Sequence, residues 1–131
     1  MLEVEVFGTR LAPEAPDPDE IRRLCARAAG SAGVRDGHLA IEFVDSPRIA
    51  ELNAQHRGHA GPTDVLSFPI DGAAPRDAPR ELGDVVICAE HTTNLPEAVV
   101  HGVLHLVGMD HETDDGQMLA LQRKLLDPGA G

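Results

Sequence analysis

The stretch EAVVHGVLHLV, residues 97–107, decides the architecture of this chain. A helix built from it carries apolar side chains on nearly every side, which is typical of a helix in the protein core. Gly108 follows directly and is expected to end the helix.

Strand patterns surround this central helix in the sequence. Residues 2–7 and 38–45 alternate apolar with polar side chains, as half-exposed strands do. Residues 64–70 predict a third strand, and residues 84–88 predict a fourth that is buried on both faces. We expect residues 71–81, rich in proline and charge, to form a surface loop between them.

Three further helices are indicated by their starting residues. Asp17 precedes Pro18, Ser46 precedes Pro47, and Thr113 precedes a final acidic turn, which are all typical helix beginnings. The interleaved elements predict an α/β (α+β) fold in which residues 1–131 form a single domain, with a small mixed four-stranded sheet and about four helices.

Composition limits the class of protein. The chain has 131 residues, a net charge of −11 and no apolar run long enough to cross a membrane. The N-terminus does not resemble a secretory signal, and Cys25 and Cys88 are expected to be small core residues without a disulfide. We therefore expect a cytoplasmic protein.

Three histidines form the candidate metal site. His101 and His105 lie one helical turn apart on the same face, and His111 follows the turn at Gly108. Three imidazoles without a fourth protein ligand are typical of catalytic zinc, which keeps one position open for water. We expect one Zn²⁺ per chain that activates water near neutral pH.

The same histidine spacing occurs in the metzincin proteases, in which a glutamate directly follows the first histidine and acts as general base. Position 102 is glycine here. Because a general base contributes about 10²–10⁴ in rate, its absence argues against peptide hydrolysis.

A second motif, NAQHRGHAGPTDVLSFP, spans residues 53–69. Its Arg57 lies between a helix end and a glycine-rich loop, where a guanidinium can clamp a phosphate or remain a solvated surface charge. Between positions 22 and 59 the chain has six arginines, including Arg57, and only four acidic residues. We expect this locally basic part of the chain to attract phosphate beside the metal despite the acidic total.

These blocks resemble the YbeY family of bacterial ribosomal-RNA maturation endoribonucleases. HGVLHLVGMDH at 101–111 is similar to the family motif HGxLHLxGYDH, and residues 53–69 and LGDVVI at 82–87 are similar to two further family blocks. Met109 replaces the usual tyrosine, and the connection from Cys88 to His101 is shorter than in the family.

The resemblance implies zinc ligation by His101, His105 and His111, with Arg57 and His111 as catalytic residues. It implies a zinc-dependent endoribonuclease that acts on single-stranded ribosomal RNA in small-subunit maturation and ribosome quality control. The small subunit or ribosome-associated proteins are the expected partners. A non-catalytic zinc-bearing ribosome-assembly factor and a zinc hydrolase of another substrate are the alternatives.

Overall fold

A four-stranded mixed sheet forms the centre of the computed structural model, which describes residues 2–70, 81–108 and 116–126. Its strands are β1 (Leu2–Phe7), β2 (Gly37–Val44), β3 (Val65–Pro69) and β4 (Glu81–Cys88). They lie in the order β1-β2-β4-β3; β2 is parallel to β1 and β4, while β3 is antiparallel to β4. The predicted small mixed sheet is confirmed.

Four helices pack against this sheet: α1 (Pro18–Ser31), α2 (Ser46–Arg57), α3 (Leu95–Leu106) and α4 (Gln117–Leu126). Two short 3₁₀ turns, Thr9–Leu11 and Ala89–His91, complete the described elements. The predicted α+β class is therefore confirmed. The predicted 71–81 loop, apart from its last residue Glu81 in β4, and the predicted cap at Thr113 lie outside the described residues.

Polar side chains fix where the helices begin. Asp17 accepts a hydrogen bond from the Glu20 backbone N–H at 2.9 Å, as predicted for α1. The prediction that Ser46 caps α2 is wrong, because Asp45 accepts from the Arg48 N–H at 3.0 Å and Ser46 is the first helical residue. A carboxylate at the end of β2 is a good N-cap, so the helix starts one residue earlier than predicted.

The two faces of the sheet carry different helices. Leu39, Ile41 and Phe43 of β2 point into the larger core together with α1, α3 and α4. The alternate face carries Val44 and a smaller core formed with α2. Since side chains alternate along a strand, α1 and α2 lie on opposite faces of the sheet.

Helix α3 lies in the core, as its sequence predicted, with eight buried residues. Gly102 faces the sheet so closely that a β-carbon there would lie 2.4 Å from Val85 Cγ1. Position 102 therefore has no room for a glutamate without movement of β4, which agrees with the sequence argument against a metzincin-type protease.

Both cysteines are buried and free, as predicted. Burial raises the pKa of Cys25 to about 12. Within the described ranges, none of the helices has the length and apolar character needed to span a bilayer.

Candidate metal centre

Two histidines of α3 converge at the surface of the core. His101 and His105 are both half-buried, and their Nε2 atoms lie 3.1 Å apart. The two rings have their centroids 4.7 Å apart and are inclined by 73°. One helical turn thus brings two nitrogen donors to one point, as the spacing of four residues predicted.

A glutamine of α4 orients the first of these rings. Gln122 is only 5% exposed, and its Oε1 lies 2.8 Å from His101 Nδ1. An amide oxygen only accepts hydrogen bonds, so Nδ1 of His101 is the donor in this contact. In a neutral ring the proton on Nδ1 leaves a lone pair on Nε2, which faces His105. The contact between the two Nε2 atoms is then a hydrogen bond in which His105 donates.

The spacing of these nitrogens fits a zinc ion. Two imidazole nitrogens bound 2.0–2.1 Å from one tetrahedral zinc lie about 3.3–3.4 Å apart. The observed 3.1 Å is close to this separation. Small ring movements would let one cation take the position of the proton that now lies between the two nitrogens, so the donor set fits the metal.

The third predicted ligand, His111, lies outside the described residues, as do Met109 and Asp110. Among the residues that the structure does describe, three metal-binding side chains do not come together at one point. His101 and His105 therefore form the described part of the predicted centre.

An open cleft of about 1040 Å³ contains the histidine pair. Helices α3 and α4 contribute His101, His105 and Gln122 to its lining, and α2 contributes His56 and Arg57. Arg57 is exposed and ends α2, where Gly58 adopts the left-handed conformation with φ 68°. The structure thus brings Arg57 and the histidine pair into one cleft, although they are more than forty residues apart in sequence.

A buried amide holds the loop that follows Arg57. Asn53 is 5% exposed, and its Nδ2 donates to the Gly61 carbonyl at 2.9 Å. The backbone carbonyl of Asn53 accepts from the N–H of Gly58, the residue that terminates α2. Asn53 therefore fixes the position of Arg57 without facing the cleft, a role that its sequence context did not indicate.

The structure does not gather the predicted basic face. Arg22 and Arg23 belong to α1, on the sheet face opposite α2, and pair with acidic residues of their own helix. Arg48 pairs with Glu51 at 3.1 Å. Of the six arginines between positions 22 and 59, only Arg57 lines the cleft. The prediction is wrong because charge was counted along the sequence, whereas the helices place it on opposite faces.

His91 also lines the cleft. Its Nε2 and the Ser46 hydroxyl are hydrogen-bonded at 2.9 Å. This contact links the segment between β4 and α3 to the start of α2.

His38 lies away from the cleft, on the exposed part of the sheet. Its Nε2 contacts Glu5 at 2.6 Å, and its Nδ1 contacts Glu81 at 2.7 Å, so one ring connects three neighbouring strands. The hydrogen bond to Glu5 is the main cause that raises the pKa of His38, and the interactions with Glu81 act in the same direction.

Several known proteins are similar to this chain in sequence or in fold. The family model described as Endoribonuclease YbeY matches residues 17–129. A protein of Nitrobacter hamburgensis named Endoribonuclease YbeY is 44% identical over an alignment that covers 95% of this chain and 76% of the relative. A Bacillus cytotoxicus protein of the same name is 37% identical over 81% of this chain and 82% of its own. The solution structure of TM1509 from Thermotoga maritima is similar with a TM-score of 0.51 and 25% identity, covering 93% of this chain and 85% of the other.

Proposed function

The chain belongs to the YbeY endoribonuclease family, and we propose that it is a zinc-dependent endoribonuclease that cuts single-stranded ribosomal RNA during maturation of the small subunit. The observation that carries the proposal is the convergence of two histidine nitrogens, 3.1 Å apart, in the same cleft as Arg57. Residues 1–131 act as one domain, in the cytoplasm, with the small subunit or its associated proteins as partners. Ribosome quality control is part of the same proposal.

The metal would be held by His101 and His105, whose Nε2 atoms lie 3.1 Å apart, together with His111. Three protein ligands suit a catalytic zinc, which supplies Lewis acidity and an ionisable bound water. Eight of the twelve residues of α3 are buried, so the helix holds its two imidazoles in position before metal arrives. Preorganised ligands of this kind bind without large rearrangement.

Arg57 binds the phosphate of the substrate. Its guanidinium is always charged and presents paired N–H donors that match two phosphate oxygens. It lies at the end of α2, where Gly58 and Asn53 fix the chain direction. It thereby orients the scissile phosphate in the cleft and offsets charge that develops during cleavage.

The net charge limits how RNA is bound. With −11 overall and a single arginine from the α1–α2 region in the cleft, binding depends on a few local contacts. Asp64 and Glu97 also line the cleft and would repel a polyanion. Cleavage is therefore expected to favour a single strand that can enter the cleft and to weaken with added salt.

Cleavage of ribosomal RNA by purified variants tests the proposal. Arg57→Ala and His111→Ala are compared with wild type, and Arg48→Ala serves as the matched control because Arg48 is an exposed α2 arginine outside the cleft. Loss of one charge-stabilising group is expected to lower the rate about 10²–10³-fold, whereas the control keeps the wild-type rate. Equal cleavage by all four preparations would identify a contaminating nuclease and refute the proposed activity.

Metal content is measured on the same preparations. Near-stoichiometric zinc is expected in wild type and should be lost in His105→Ala but retained in His59→Ala, a loop histidine outside the cleft lining. A folded wild-type protein that binds no zinc would contradict the metal site. Stoichiometric zinc without any cleavage would instead favour the ribosome-assembly factor.

A further inference from the structure

Gln122 is the buried polar side chain of α4 and contacts the histidine pair directly. It is 5% exposed, and its Oε1 lies within hydrogen-bond distance of His101 Nδ1, at 2.8 Å. A buried amide is costly unless it is hydrogen-bonded, and an apolar residue would satisfy this position in α4 equally well. Its neighbour one turn earlier, Met118, is fully buried and apolar.

We propose that Gln122 is a positioning residue that holds His101 in the tautomer with its proton on Nδ1, so that Nε2 is always available as a metal ligand. This inference rests on the proposed zinc site. It assigns to α4 a function in metal binding beyond packing, although α4 contributes no ligand among the described residues.

The direction of this hydrogen bond is decisive. Free imidazole exchanges between two neutral tautomers, of which only the one with a bare Nε2 can bind at the observed position. Because the glutamine oxygen only accepts, it stabilises the competent tautomer and fixes the ring plane. Groups that orient metal-bound histidines in this way typically change metal affinity by about 10–100-fold when removed.

Two substitutions separate this role from packing. Gln122→Met keeps the length of the side chain but removes the oxygen, whereas Gln122→Glu keeps oxygen acceptors at the same distance. The control is Gln117→Met, which makes the same change at an exposed position of α4. Thermal unfolding followed by circular dichroism verifies that each variant is folded.

Zinc affinity is measured by competition with a chromophoric chelator. Gln122→Met is expected to bind zinc about 10–100-fold more weakly than wild type, while Gln122→Glu and Gln117→Met stay within a few-fold of it. A wild-type affinity in folded Gln122→Met would overturn the inference.

A second readout needs no metal. In the metal-free protein, nitrogen-15 chemical shifts of the His101 ring report the tautomer; wild type should show the proton on Nδ1, and Gln122→Met should shift it toward Nε2. Weaker zinc binding without this tautomer shift would also overturn the inference. If wild type binds no zinc, the proposed function fails, and the tautomer comparison still decides the role of Gln122.

Discussion

Replacing Gly102 by alanine should destabilise the protein, although the same change normally favours a helix. The new β-carbon would lie 2.4 Å from Val85 Cγ1 and 3.0 Å from Cγ2, so helix and strand must separate by roughly 1 Å to restore ordinary contact. Val85 is fully buried, and its β-branched side chain is restricted in χ1, so it cannot easily move away from the new carbon.

The magnitude follows from two opposing terms. Overpacking a core costs about 1–3 kcal/mol, while replacing glycine by alanine inside a helix gains about 1 kcal/mol. The net expectation is a loss of up to about 2 kcal/mol in the free energy of unfolding, or up to roughly 8 °C in Tm. Urea and thermal unfolding of the purified variant measure it.

Gly30→Ala is the matched control, because Gly30 lies in α1 and a β-carbon there meets no atom within 4 Å. This control should be unchanged or more stable by up to about 1 kcal/mol. In the double variant Gly102→Ala, Val85→Ala, the smaller strand residue makes room for the new β-carbon. The stability lost in the double variant should therefore be smaller than the sum of the losses in the two single variants. A Gly102→Ala protein as stable as Gly30→Ala would refute the steric explanation.

Three further changes test other contacts of the fold. The pKa of His38 is raised in the folded state. Its interactions therefore stabilise the protein fully below the unfolded pKa of about 6.5, and this stabilisation is lost as pH rises through the folded pKa. The stability difference between wild type and His38→Gln, measured by urea unfolding, should be larger at low pH than at high pH. Asp45→Ala should cost about 1 kcal/mol while Ser46→Ala costs less, and equal losses would argue against Asp45 as the cap of α2. Asn53→Ala should cost about 1–3 kcal/mol in thermal unfolding by removing a buried donor, and it should also weaken RNA binding through Arg57; a variant with unchanged Tm would contradict the assigned role of Asn53.

Patterns of local spacing predicted the elements well. Alternation in residues 2–7 and 38–45 and the apolar run at 97–107 depend on periods of two and 3.6 residues, which survive in any tertiary context. The pairing of His101 with His105 follows from the same helical period. Most features fixed by a single chain segment were therefore accessible from the sequence.

Contacts between distant segments were not accessible in the same way. The hydrogen bond from His101 to Gln122 joins residues 21 positions apart, and the polar pattern of α4 alone gives no reason to bury an amide. The failed basic face has the same origin, since charge adds up along the sequence regardless of which sheet face each helix covers. The α2 cap was missed because Asp45 and Ser46 are both favourable residues and only geometry chooses between them.

Two of the three helices that line the cleft, α3 and α2, differ greatly in how much of their surface is buried. Helix α3 buries eight of its residues, whereas α2 buries only Ile49 and Asn53. Amide protons of α3 should therefore exchange with deuterium only through global opening, while those of α2 exchange through cheaper local fluctuations. Helix α2, which carries Arg57, can therefore shift locally when a polymer enters the cleft. Helix α3 keeps the positions of its two imidazoles fixed.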